Sequence, residues 1–156
     1  MKKLLYCFLT ILFVSILACN NASNDSAKTK TPQQVLADSL EKEVDDGHNI
    51  AMPKSMKIPK IQKEIKQLLD SVSKLPAKAQ EAAAPYKAKL ETLQNELEYA
   101  YMAMDKWMVE YKYDSAMNDL GKRIKYLTEE KLKVDKVKEA VLGSMAKADS
   151  LLKAKF

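Results

Sequence analysis

The sequence predicts an all-α fold: an elongated, antiparallel three-helix bundle, coiled-coil-like, with its first helix kinked near Pro53. Three observations carry this expectation. Apolar residues recur at steps of three and four along most of the region from 32 to 154. No stretch alternates apolar and polar residues for long enough to form a strand. The region from 77 to 112 is rich in alanine, lysine, glutamate and leucine, all strong helix formers.

The first helix is expected over about 32–73. Thr31 can cap free amides, and Pro32 suits the first helical position. Leu36, Leu40 and Val44 follow at intervals of four. Met52, Met56, Ile61, Ile65, Leu68, Leu69 and Val72 then keep close to the helical period. Pro53 and Pro59 each remove an amide donor, so a kink near Pro53 or a break between 53 and 59 is expected. Lys74-Leu75-Pro76 is a short connection, which makes the next helix an antiparallel neighbour.

The second helix is expected over about 77–112. Its seam is Leu90, Leu93, Leu97, Met104, Trp107, Met108 and Tyr111, with Ala100 and Tyr101 filling the gap. The third is expected over about 119–154, with a seam of Ile124, Leu127, Val134, Val137, Val141, Met145, Ala148 and Leu152. A helix of about 36 residues is about 54 Å long, so the body is elongated.

The first eighteen residues stand apart. Lys2 and Lys3 precede an apolar run, Leu4 to Leu17, that is short for a bilayer span. It ends in Ile16-Leu17-Ala18-Cys19, which resembles the lipobox of bacterial lipoprotein signal peptides. The resemblance implies cleavage before Cys19 and lipidation of its sulfur, hence a membrane attachment. The alternative is an ordinary signal peptide or an N-terminal anchor. Residues 19–31 are polar and read as a lipidated, flexible tether; 32–156 is the helical domain. Asn20 is not the aspartate that retains some lipoproteins in the inner membrane, so an outer-membrane site facing the periplasm is expected.

Composition narrows the function classes. Cys7 leaves with the signal, so the mature chain has one cysteine and can form neither an internal disulfide nor a CxxC metal site. Loss of Lys2 and Lys3 takes the formal charge from +5 to +3. The remaining charges alternate in sign along helix faces, the pattern of solvated helices and not of a nucleic-acid stripe. There is one histidine, no glycine-rich phosphate loop and no local Ser/His/Asp signature, so a non-enzymatic protein is expected.

The constellation that carries chemistry is sulfur and imidazole. His48 and Met52 are four apart and share a helix face. With the turn centred on Pro76, His48 and Met104 both lie 28 residues from it and should sit at one level. His48 and Met52 then converge on Met104, Trp107 and Met108. Imidazole and thioethers suit Cu(I) or Ag(I), and an indole face stabilises a nearby cation. The other reading of the same residues is an irregular core layer filled by methionine. Tyr99, Tyr101, Tyr111 and Tyr113 form a second aromatic edge, a candidate surface for a protein partner or for self-association.

Several of these residues also carry a family resemblance. His48-x-x-x-Met52-Pro53-Lys54, Ala103-Met104-Asp105-x-Trp107-Met108, Tyr126-Leu127-x-Glu129-Glu130, Val134 to Lys138 and Met145-x-Lys147-Ala148 together resemble a family of small Bacteroidota lipoproteins often labelled "viral A-type inclusion protein". The resemblance spans about residues 35–154. Met56 stands one residue later than the family's second methionine, and Asn49 and Ile50 replace its acidic residues. The family implies no biochemical activity. It places His48, Met52, Trp107 and Met108 at motif positions. The sequence thus points to a lipid-anchored structural or interaction module of the cell envelope, with a Cu(I)/Ag(I)-binding protein as the alternative.

Overall fold

The computed structural model describes residues 30–153 and contains four helical segments, with no strand among the described residues. They are α1 (Pro32–Ser55), α2 (Ile58–Ser73), α3 (Ala77–Glu110) and α4 (Leu120–Lys153). The first two are halves of one bent helix, so the molecule is an antiparallel three-helix bundle. The expected signal segment 1–18, the expected lipidation site Cys19, residues 20–29 of the expected tether and residues 154–156 lie outside the described residues. No described helix is long and apolar enough to cross a membrane.

Thr31 caps α1 as its sequence suggests. Its hydroxyl accepts from the Gln34 amide at 3.2 Å, and the Gln34 side chain accepts from the Thr31 amide at 2.7 Å. This reciprocal box satisfies two amides that a bare helix end leaves open. The bend lies at 56–57, not at Pro53, which is carried inside α1. Pro59 is the cause. It has no N–H for the Ser55 carbonyl, and its ring would clash with that carbonyl in a continuous helix. The chain tightens instead, with the Lys57 amide donating to Lys54 O at 3.0 Å, and α2 restarts with Pro59 in its first turn.

The break does not disturb the packing period. Ala37, Val44, Ala51, Ile58, Ile65 and Val72 are all buried at steps of seven across the bend. In α3 the buried residues are Ala83 and then Leu90, Leu93, Leu97, Ala100, Met104 and Trp107, the last six at steps of three and four. In α4 they are Arg123, Leu127, Glu130, Val134, Val137, Val141, Ser144 and Ala148, in a strict four-three repeat. These are heptad seams, and each fully buried Leu or Ile contributes about 1.5–3 kcal/mol. Leu36, Met56 and Tyr101, expected at seam positions, are exposed. The heptad seam runs through Ala37 and Ser55, beside Leu36 and Met56.

α1 runs parallel to α4 and packs chiefly on it, while α2 packs on α3. Gly47 is what lets α1 and α4 approach. A Cβ built there would sit 3.0 Å from Val134 Cγ1 and 3.3 Å from Cγ2. The connection from α3 to α4 turns at Ala116, whose φ of 57° is left-handed. It ends at Asp119, whose carboxylate accepts the Lys122 amide at 3.0 Å and so caps α4. That hydrogen bond holds the Asp119 carboxyl below its ordinary range.

Candidate functional site

The expected convergence of α1 on α3 occurs, displaced by one helical turn. His48 meets Trp107, with ring centroids 5.7 Å apart, where equal counting from Pro76 placed it level with Met104. That counting assumed an unbroken rise, and α1 stops at Ser55 and restarts at Ile58. Trp107 then stacks on Tyr111 at 4.9 Å, and Tyr111 on Tyr126 at 6.2 Å. A ladder of four rings therefore crosses the end of the bundle that holds the α3–α4 connection.

The predicted ligand residues are only partly gathered. His48 and Met52 are half-buried, one turn apart on α1. The His48 Nδ1 contacts Asn49 Oδ1 at 3.2 Å, which an Nδ1–H tautomer satisfies, leaving the Nε2 lone pair available. Ser55 Oγ–H lies 2.9 Å from Met52 O and 3.6 Å from Met52 Sδ. Met104 is a core residue at 2% exposure, and Met108 is turned to solvent at 36%. No group of three or more His, Cys, Asp or Glu side chains that could hold a metal gathers among the described residues.

Two buried charges in α4 belong to the same end, and sequence reasoning missed both. Trp107 Nε1–H donates to Glu130 Oε2 at 3.0 Å, and Lys133 Nζ donates to Glu130 Oε1 at 2.7 Å. The second bond raises the Lys133 ammonium above its ordinary range. Arg123, 4% exposed, donates from Nη1 to the carbonyls of Tyr113 and Ser115 at 2.7 and 3.0 Å. Its Nη2 lies 3.2 Å from Glu41 Oε2, close enough for an ion pair but without hydrogen-bond geometry. The signal was a gap: between Leu127 and Val134 the apolar repeat skips one position, and Glu130 fills it.

The four tyrosines do not share one edge. Tyr99, Tyr101 and Tyr113 are exposed, and Tyr113 lies under the Arg123 guanidinium at 5.9 Å. Tyr111 is part of the ring ladder, and its hydroxyl is buried without a partner. Burial first, then the Asp45 charge, pushes its pKa up to about 12.

A second stripe emerges on the outer side of α3. Ala88, Thr92, Asn95, Tyr99, Met102 and Val109 keep heptad spacing, and all are exposed. Ala88 and Thr92 line an apolar groove of about 730 Å³ against Ala146 and Leu151 of α4. Asn95 and Tyr99 line a second groove of about 390 Å³ against Ala140 and Gly143. The Glu96–Lys147 ion pair stands where the two meet. A Cβ at Gly143 would touch nothing within 4 Å, so the groove floor is open there.

Comparisons of the chain with family models, curated proteins and solved structures give no match.

Proposed function

We propose that this chain is a lipid-anchored, non-enzymatic interaction module of the cell envelope, whose bundle receives an amphipathic helix of a protein partner along α3 and α4. The observation that carries the reading is the outer stripe from Ala88 to Val109. It repeats the heptad of the core while facing solvent beside an apolar groove. A three-helix bundle does not need a second seam for its own stability. Seams of this spacing are what a further helix packs against, and exposed tyrosine and methionine are typical of such contacts. The anchoring part rests on the N-terminal sequence, Lys2 to Cys19, and on its similarity to a lipobox.

A photocrosslinking amino acid placed at Tyr99, and in a separate chain at Lys63 on the exposed outer face of α2, tests this in cells. Adducts at Tyr99 and none at Lys63 are expected. Adducts of twice the chain mass identify self-association, and any other mass a different partner. Equal yields at both positions, or none at Tyr99, contradict the reading.

A second reading is favoured by the His48–Trp107 ring contact. Here His48 Nε2 and the Met52 thioether, one turn apart, hold Cu(I) or Ag(I) beside the indole. Met104 and Met108 take less part, one in the core and the other in solvent. Titrating Ag(I) into the chain while following the single tryptophan is expected to give saturable quenching near one equivalent, weakened by His48→Ala. Quenching indifferent to His48 and Met52 contradicts it.

A further inference from the structure

A third cleft, on the other flank of α4, arises from the break itself. Beside the break the seam carries the fully buried Ile58 of α2, but its other members are small: Ser55 on α1, and Ser144 and Ala148 on α4. Ile61, Leu142 and Met145 stay half-buried and wall a cleft of about 660 Å³. That volume lies within the ~300–1,000 Å³ typical of small-ligand sites.

The mouth of the cleft is basic. Lys54, Lys57 and Lys60 line it at three-residue steps across the break. None of the three ammonium groups makes an ion pair or hydrogen bond among the described residues. Helix electrostatics account for one of them only. Lys54 lies in the last turn of α1, where a cation is favoured. Lys57 and Lys60 stand at the start of α2, which has no acid in its first turn, and there a cation opposes the dipole. Two acids also line the cleft. Asp149 lies 3.8 Å from Lys153, and Glu64 makes no ion pair. Three ammonium groups against two carboxylates leave net positive charge over an apolar floor.

We propose that this cleft binds a single-chain amphiphile with an anionic head. The head sits among Lys54, Lys57 and Lys60, and the tail lies against Ile61, Leu142 and Met145. An inorganic anion would leave the apolar walls unused, and a neutral alcohol would leave the ammonium groups uncompensated. This site is separate from the α3–α4 groove and does not depend on it.

The test is a titration of the full chain, labelled with nitrogen-15, with dodecanoate below its micelle-forming concentration. Parallel titrations use dodecanol, dodecyltrimethylammonium and inorganic phosphate. Saturable shifts confined to residues 54–64 and 142–149 are expected with dodecanoate. Binding of dodecanol and phosphate should be weaker by about tenfold or more, the loss of one or two charge-assisted contacts or of the apolar tail. The double variant Lys57→Gln/Lys60→Gln should lose dodecanoate affinity to a similar degree while its circular dichroism is unchanged. Met145→Gln should weaken dodecanoate and leave phosphate unaffected. The proposal is overturned by shifts centred elsewhere, by dodecanol or phosphate binding as tightly as dodecanoate, or by full affinity in the double lysine variant.

Discussion

Gly47 and Gly143 are both interior helix glycines, and their surroundings give opposite predictions. At Gly143 an added methyl meets nothing within 4 Å, so only helix propensity acts. Gly143→Ala should stabilise by about 1 kcal/mol in chemical denaturation. At Gly47 the methyl would meet Val134 Cγ1 at 3.0 Å. Val134 is fully buried and β-branched, so it has little room to change rotamer. Overpacking of about 1–3 kcal/mol then outweighs propensity, and Gly47→Ala should destabilise. In a Val134→Ala background the same change should turn favourable. Tyr111 makes a pH prediction. Its folded pKa of about 12 lies above the ordinary value of 10.0, so the folded protein holds this proton more tightly than the unfolded chain. The contribution is complete below pH 10 and is lost as pH rises through about 12. Denaturation midpoints should fall across that window, and Tyr111→Phe should flatten this part of the slope. An unchanged slope would mean another group is responsible.

At the scale of the element, the connection between α3 and α4 has its own turn bonds, Ser115 N–H to Lys112 O and Asp119 N–H to Ala116 O, and a side chain clamps it to the bundle. Arg123 reaches back from the first turn of α4 to the carbonyls of Tyr113 and Ser115 while facing Glu41 of α1. Arg123→Met keeps the length of the stem and removes these contacts. It should cost about 2–3 kcal/mol, the scale of charged hydrogen bonds, and amide exchange should accelerate first at residues 111–119. Uniform acceleration over the whole bundle would contradict a local clamp. The polar members of the α4 seam explain what sequence reading could and could not reach here. Leu127, Val134, Val137, Val141 and Ala148 stand out by apolarity. Arg123 and Glu130 occupy the same heptad but are buried through partners on other helices, which a one-dimensional pattern does not contain, and Ser144 is buried by donating to the Val141 carbonyl of its own helix. The position of the bend was legible only to within a few residues, because Pro53 and Pro59 both forbid a helical hydrogen bond.

At the scale of the molecule, the three-helix architecture and most of the α3 core were readable from periodicity alone. The meeting of His48 with the tryptophan segment was readable too, to one turn. The closeness of α1 to α4 was not. It rests on Gly47, a residue that counts against a helix when read alone and permits close approach when Val134 stands opposite. The outer stripe of α3 was hidden for a related reason: polar Thr92, Asn95 and Lys106 interrupt it, and only the neighbouring groove shows that Tyr99 belongs to a seam. The central claim is that this second seam receives a helix. The most direct test compares crosslinking from position 99 in the native chain and in Gly143→Leu, whose side chain fills the open groove floor without a clash from a Cβ at that position. The account predicts that the adduct is lost in Gly143→Leu while thermal stability is kept or raised. An adduct that persists at full yield in a folded Gly143→Leu chain would contradict it.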